Sequence, residues 1–167
     1  MEVKNLITKK HLLFNISLIV FPWLTLFFIG KKSLKRYSIS GLFIVGFEVL
    51  NHIYGHKRNW WKFYDGHKAF YKDELPFSIG PYMPLSMWIL KYSYGNFKKY
   101  IVLNLIVDGL FAFFLINVFK KYRVISLNGI NHIQFFIYLH YKAYLMYGVQ
   151  SLVERYRKEL YPFKNHT

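Results

Sequence analysis

The chain has 167 residues, enough for a single domain, but its composition is unlike that of a soluble protein. Hydrophobic residues make up 54% of the sequence and charged residues only 19%, below the roughly 25% typical of soluble domains. The charges are unequal, with 23 Lys and Arg against 8 Asp and Glu. High apolarity excludes intrinsic disorder, and the absence of Cys excludes disulfides, thiolate metal sites and Cys nucleophiles. The composition predicts a membrane protein with basic loops.

Five apolar runs predict membrane-embedded helices, because about 20 helical residues cross the hydrocarbon core of a bilayer. In chain order they are residues 11–30, 38–54, 76–90, 100–119 and 133–149. The first run is too long for a cleavable signal peptide, and Pro22 is expected to kink it. The sequence thus predicts an all-α, polytopic transmembrane bundle, with residues 1–167 forming one integral membrane domain.

The third run differs from the other four in length and proline content. It has only 15 residues and contains Pro76, Pro81 and Pro84. At that length it either crosses the membrane or re-enters on the same side. If all five runs cross, Lys and Arg divide equally between the two sides. If the third does not cross, the positive-inside rule places the N-terminus in the cytoplasm. The choice between four and five spans stays open.

Residues 55–75 form the longest connection, in which aromatic residues alternate with basic ones. Such a mixture either stacks on single-stranded nucleic acid or lies at a membrane surface, and we favour the surface, because Trp and Tyr prefer the headgroup level. Lys and Arg attract anionic lipid there. The predicted membrane-interface anchors are Trp60, Trp61, Tyr64 and Tyr71. Residues 150–162 are predicted to extend the last helix as an amphipathic segment.

Several polar side chains fall inside the predicted spans. Ionisable groups are costly in hydrocarbon and usually face the bundle interior, so each is a candidate functional residue. Three of them, Glu48, Asp108 and Lys142, lie at similar depth, and Asn104 precedes Asp108 by one helical turn. With His140 they form a predicted intramembrane polar cluster. Such a cluster either locks helices together or serves a proton- or cation-coupled transporter.

A weak metal-binding pattern is present in the second run. Glu48, His52 and His56 are spaced by four, which keeps successive side chains about 40° apart on one helical face. Glu and His can ligate zinc or iron. However, the sequence has no second His box, so we expect no metal and no other cofactor. Common catalytic motifs are also absent from the sequence, and no catalytic residue is predicted.

Several segments resemble a group of small polytopic membrane proteins from spore-forming Gram-positive bacteria. These segments are residues 57–65 (KRNWWKFYD), 74–81 (ELPFSIGP), 87–97 (MWILKYSYGNF) and 100–108 (YIVLNLIVD). Residues 22–37 and 145–154 fit the same pattern. The resemblance implies a helical bundle in the bacterial cell membrane. It carries no activity, cofactor or catalytic residue over to this chain.

Two functions are therefore expected from the sequence. The first is a non-enzymatic, multi-pass membrane protein that acts through association with lipid or with membrane partners, including a second copy of itself. The alternative is a small permease or transporter component that uses the intramembrane carboxylates. Neither substrate nor partner follows from the residues, and nucleic acid is not expected as a partner.

Overall fold

A computed structural model of the protein describes residues 2–64 and 75–160, which are mostly helical. The helices are α1 (Glu2–Thr25), α2 (Lys31–Lys57), α3 (Leu75–Ile79), α4 (Tyr82–Ser93), α5 (Phe97–Gly109), α6 (Ile116–Lys121) and α7 (His132–Leu160). A 3-10 turn, Leu26–Phe28, follows α1. A π-helical segment, Leu110–Leu115, joins α5 to α6 as one continuous helix. Two short strands complete the fold, β1 (Trp61–Phe63) and β2 (Ile125–Leu127).

The all-α prediction is confirmed, since every predicted apolar run coincides with helix. The third run is divided into α3 and α4 at Gly80 and Pro81. Pro84 lies in the first turn of α4, where a residue without a backbone N–H is tolerated. At Gly80 the chain passes directly against α1. A Cβ there would lie 2.5 Å from the backbone oxygens of Leu18 and Pro76, so only glycine fits without a backbone shift.

The two strands pair antiparallel and tie together two connections that are distant in sequence. Trp61 lies opposite Leu127, and Phe63 lies opposite Ile125. The backbone N–H of Asn128 also donates to the carbonyl of Trp60 at 2.8 Å. This two-stranded sheet was not predicted, because its strands of three residues show no alternation long enough to recognise. It holds the start of the 55–75 connection against the chain that leads into α7.

Polar side chains join α2 to α7 at the opposite end of the bundle. Arg36 donates to Glu154 at 2.6 Å, and this hydrogen bond raises the pKa of the guanidinium above its ordinary value. Buried Ser40 donates to Gln150 at 2.7 Å, and Arg157 donates to the backbone carbonyl of Arg36 at 3.1 Å. We call this group the clasp. It links the start of α2 to the last turns of α7, so the two helices run antiparallel.

The sheet and the clasp mark the two ends of the bundle and give each helix a direction. α2 runs from the clasp to the sheet, and α7 runs back from the sheet to the clasp. The α3–α4 segment begins with Phe77 packed on Phe63 of the sheet and ends where Tyr94 meets Tyr37 near the clasp. The α3–α4 segment therefore extends along the full bundle. Because α2 ends at the sheet and α7 ends at the clasp, Lys57 and Lys158 lie at opposite ends of the bundle.

Large apolar side chains face outward on most of the helices. Examples are Phe27, which is 83% exposed, with Phe28, Leu50, Phe114 and Ile133 also exposed. Within residues 2–64 and 75–160, one helix, Phe97–Lys121 with 25 residues, is long and apolar enough to cross a membrane. A shorter apolar helix covers Leu12–Phe28. A single helix of this kind is weak support for membrane insertion, and it does not support the five predicted spans.

Candidate functional site

The centre of the bundle holds an ion pair between α2 and α7. The Lys142 ammonium lies 2.5 Å from the Glu48 carboxylate, and each side chain is only 1% exposed. Removing two charges from water is costly, and their attraction offsets this cost only when the geometry is good. Each side chain therefore depends on the other as its counter-ion, and the pair joins α2 to α7.

Aromatic and imidazole groups surround this ion pair. The Tyr138 hydroxyl donates to Glu48 Oε1 at 3.2 Å, and His52 Nε2 lies 3.6 Å from the same oxygen. The other ring nitrogen of His52 bonds the Ser78 hydroxyl. Lys142 Nζ lies 3.8 Å from the ring centroid of Tyr138 and 4.8 Å from that of Tyr82, so both rings contribute cation–π attraction. The ammonium thus sits in a cage of one carboxylate and two phenol rings.

A second polar pair joins α5 to α7. His140 Nδ1 lies 3.0 Å from the Asp108 carboxylate. We assign the proton to Nδ1, because a carboxylate only accepts hydrogen bonds. His140 Nε2 is buried and has no hydrogen-bond partner in the part of the chain that the structure describes. The His140 ring stacks on Phe136.

Asn104 and Tyr100 make separate contacts beside these pairs. Asn104 donates to the carbonyl of Tyr100 in its own helix at 2.8 Å. The buried Tyr100 hydroxyl donates to the carbonyl of Ala143 at 2.9 Å, which attaches α5 to α7. Asn104 therefore does not bond Asp108 directly, although the two lie one turn apart.

The five residues of the predicted polar cluster are thus found in one region, with α7 at its centre. Lys142 contacts α2 through Glu48, and His140 contacts α5 through Asp108. Each carboxylate is thus matched with a basic residue of α7, and Lys142 forms its ion pair with Glu48 rather than with Asp108. Tyr82 and Tyr138 were missed by sequence reasoning, because tyrosines are frequent in this chain and nothing in their spacing distinguishes these two.

A cavity of about 120 Å³ adjoins both pairs. Its walls come from the helices α2 to α7, the π-helical segment and both strands, and they are mainly apolar and aromatic. The polar groups that line it include Glu48, Tyr82, Asn104, Asp108, Tyr138 and Lys142. The predicted cluster therefore borders an internal space that is large enough for a small molecule.

The weak metal pattern is not assembled as a binding site. Glu48 contacts Lys142, His52 bonds Ser78, and His56 lies one turn further toward the end of α2. Among the described residues, no group of three or more His, Asp or Glu side chains is placed to hold a metal ion. The carboxylate that would be the central ligand is instead occupied by an ammonium group.

The predicted interface anchors have different surroundings from one another. Trp61 is 7% exposed and packs edge-on against His52, so it belongs to the protein core rather than to an outer surface. Trp60 is half-buried against Tyr54 and Tyr138. Tyr64 is half-buried, with Lys62 5.7 Å from its ring centroid. Tyr71 lies outside the described residues. The burial of Trp61 follows from the sheet, which draws β1 against the bundle.

Comparison with known proteins supplies no relative for this arrangement. No family model matches the chain, no curated protein matches it, and no solved structure matches it.

Proposed function

We propose that the chain is a polytopic integral membrane protein whose five helical segments are embedded in the membrane, and that it acts through association with lipid or with other membrane proteins. The main support for this proposal is the distribution of side chains. Large apolar residues face outward, while the polar residues Glu48, Lys142 and Gln150 are buried. Soluble proteins rarely expose extended apolar surface, whereas lipid-facing helices require it.

The low apolarity of α2 and α7 is compatible with membrane insertion. Their charged and amide residues are directed inward and meet partners in the bundle, as Glu48 meets Lys142 and Ser40 meets Gln150. Polar residues within membranes typically face the bundle interior and pair there. The outward positions, such as Leu50 and Ile137, are apolar. Average apolarity along a helix therefore understates how well its outer face suits lipid.

Helix direction supports five crossings with the termini on opposite sides. Cysteine accessibility provides the test, because the chain has no native Cys. Lys57 and Lys158 are exposed and lie at opposite ends of the bundle, so each is replaced by cysteine in a separate variant, Lys57→Cys and Lys158→Cys. In sealed vesicles, a membrane-impermeant maleimide should label one of them from outside and the other only after permeabilisation. Labelling of both from the same side, or a protein that stays monodisperse without detergent, would contradict the proposal.

Association with anionic lipid is supported by exposed basic residues at both ends of the bundle. Near the clasp they include Lys31, Lys32 and Lys98, and near the sheet Lys120 and Lys121. Such residues attract acidic headgroups by about 1 kcal/mol each. Anionic phospholipid added to purified protein in neutral detergent should raise its melting temperature more than zwitterionic phospholipid does. Equal effects of the two lipids would reject this specificity.

The bacterial cell membrane, implied by the resemblance, is the proposed location.

A small permease is the second candidate, and one specific observation favours it. Glu48 and Asp108 line the same cavity, so two carboxylates face one internal space. The test is proton movement into proteoliposomes with an entrapped pH-sensitive dye. A permease predicts flux that falls in the Asp108→Asn variant, whereas flux equal to that of empty liposomes would leave only the structural lock.

A further inference from the structure

The cavity beside the two polar pairs has the size of a binding site for a small organic molecule. Its volume is about 120 Å³. An engineered apolar cavity of about 150 Å³ in another protein takes up benzene. The wall here includes Trp61, Phe77, Tyr100 and Phe135, all buried, so the cavity is close to that size and lined by aromatic rings.

Two polar groups on the cavity wall have unused hydrogen-bonding capacity. The Tyr82 hydroxyl makes no hydrogen bond to any described residue. Asp108 bonds His140 through Oδ2, and its other oxygen, Oδ1, has no hydrogen bond within residues 12–64 and 75–159. A polar atom on a cavity wall that has no protein partner can form a hydrogen bond to a ligand. A ligand in the cavity is positioned to supply that partner.

The charges around the cavity do not balance. Glu48 and Lys142 neutralise each other, because they form a direct ion pair. Asp108 accepts a hydrogen bond from His140 Nδ1. Among the described residues, the cavity wall thus carries two carboxylates, Glu48 and Asp108, against one ammonium, Lys142. A monovalent cation is the ligand that removes this imbalance.

The protein already holds one ammonium group in these surroundings. Lys142 Nζ is bound by a carboxylate and lies over the rings of Tyr138 and Tyr82. Carboxylates combined with aromatic faces are the groups that recognise organic ammonium ions in proteins. The cavity offers a second set of the same kind, with Asp108 as the carboxylate and the aromatic walls as the ring faces.

We propose that this cavity binds a small monovalent organic cation, an ammonium group on an apolar or aromatic body. The ammonium donates to Asp108 Oδ1 and to the Tyr82 hydroxyl oxygen, and the body fills the aromatic part of the cavity. The inference goes beyond association with lipid or protein partners and rests on the cavity alone. It also defines a substrate class for the permease alternative.

Three probes of the same shape and different charge test the proposal. Benzylamine is cationic at neutral pH, benzyl alcohol is neutral and benzoate is anionic. Saturable binding to the purified chain in detergent is measured by isothermal titration for each probe. Benzylamine is expected to bind at least tenfold more tightly than benzyl alcohol, and benzoate is expected not to bind. Equal affinity for the first two, a preference for benzoate, or no saturable binding of benzylamine would overturn the proposal.

Two variants locate the binding. Asp108→Asn should reduce the preference for benzylamine over benzyl alcohol to about one, while the neutral probe still binds. Tyr82→Phe keeps all charges and should weaken benzylamine binding about fivefold, the effect of one lost hydrogen bond. If Asp108→Asn does not fold, the Tyr82→Phe result decides. An unchanged preference in Asp108→Asn, or unchanged affinity in Tyr82→Phe, would place the probe elsewhere. Neither outcome depends on the topology experiment, so the two proposals fail separately.

Discussion

Lys142→Met is expected to destabilise the bundle in a way that depends on pH. The substitution removes the ammonium and leaves Glu48, which is 1% exposed, without its counter-ion. Breaking a buried pair on one side typically costs about 3–5 kcal/mol. Protonation of the Glu48 carboxyl in the folded state costs less free energy than burying its unpaired charge.

The cost of that proton follows from ordinary solution chemistry. A glutamate side chain in water has a pKa of about 4.3, and each pH unit above it corresponds to about 1.4 kcal/mol. Holding a carboxyl protonated therefore costs about 3.7 kcal/mol at pH 7 and about 1 kcal/mol at pH 5. The folded variant binds one more proton than the unfolded chain, so its stability rises as the pH falls. Glu48→Gln strands the ammonium instead and should show the opposite slope.

Unfolding in mixed micelles, followed by tryptophan fluorescence at pH 5 and pH 7, measures these effects. The double variant Glu48→Gln with Lys142→Met should recover much of the loss and show little pH dependence, because no stranded charge remains. Lys98→Met is the matched control, since it makes the same chemical change at an exposed position. The reasoning fails if Lys142→Met costs the same at both pH values, or if the two single effects simply add.

Three further outcomes follow from the packing. Gly80→Ala should cost about 2 kcal/mol in thermal unfolding, because its Cβ meets backbone oxygens, whereas Gly46→Ala has open space and should be neutral or stabilising. A loss below 0.5 kcal/mol, roughly the error of the measurement, would contradict the close approach. Tyr100→Phe should cost about 1 kcal/mol through the lost bond to Ala143. Asp108→Asn should cost about 1 kcal/mol or less, since an amide oxygen still accepts from His140, and a larger loss would show that the charge itself is needed.

The positions of the helices follow from local sequence properties. Long apolar runs bounded by basic residues form helices with little dependence on their neighbours, so every predicted run is found as helix. The four-residue spacing of Glu48 and His52 also predicts that they share a face, and His52 Nε2 lies 3.6 Å from Glu48 Oε1. The grouping of polar residues in one region followed from their similar depth.

Only the tertiary structure decided which partners meet. Whether Lys142 reaches Glu48 or Asp108 depends on the rotation and register of α7 against its neighbours, and these are set by packing across the whole bundle. The pairing of β1 with β2, the burial of Trp61 and the full-length course of α3–α4 arise from contacts between residues far apart in sequence. Local composition does not predict such contacts, because many different arrangements of the helices would bury the same residues. The cavity exists for the same reason, as a space left between the helices and the two strands.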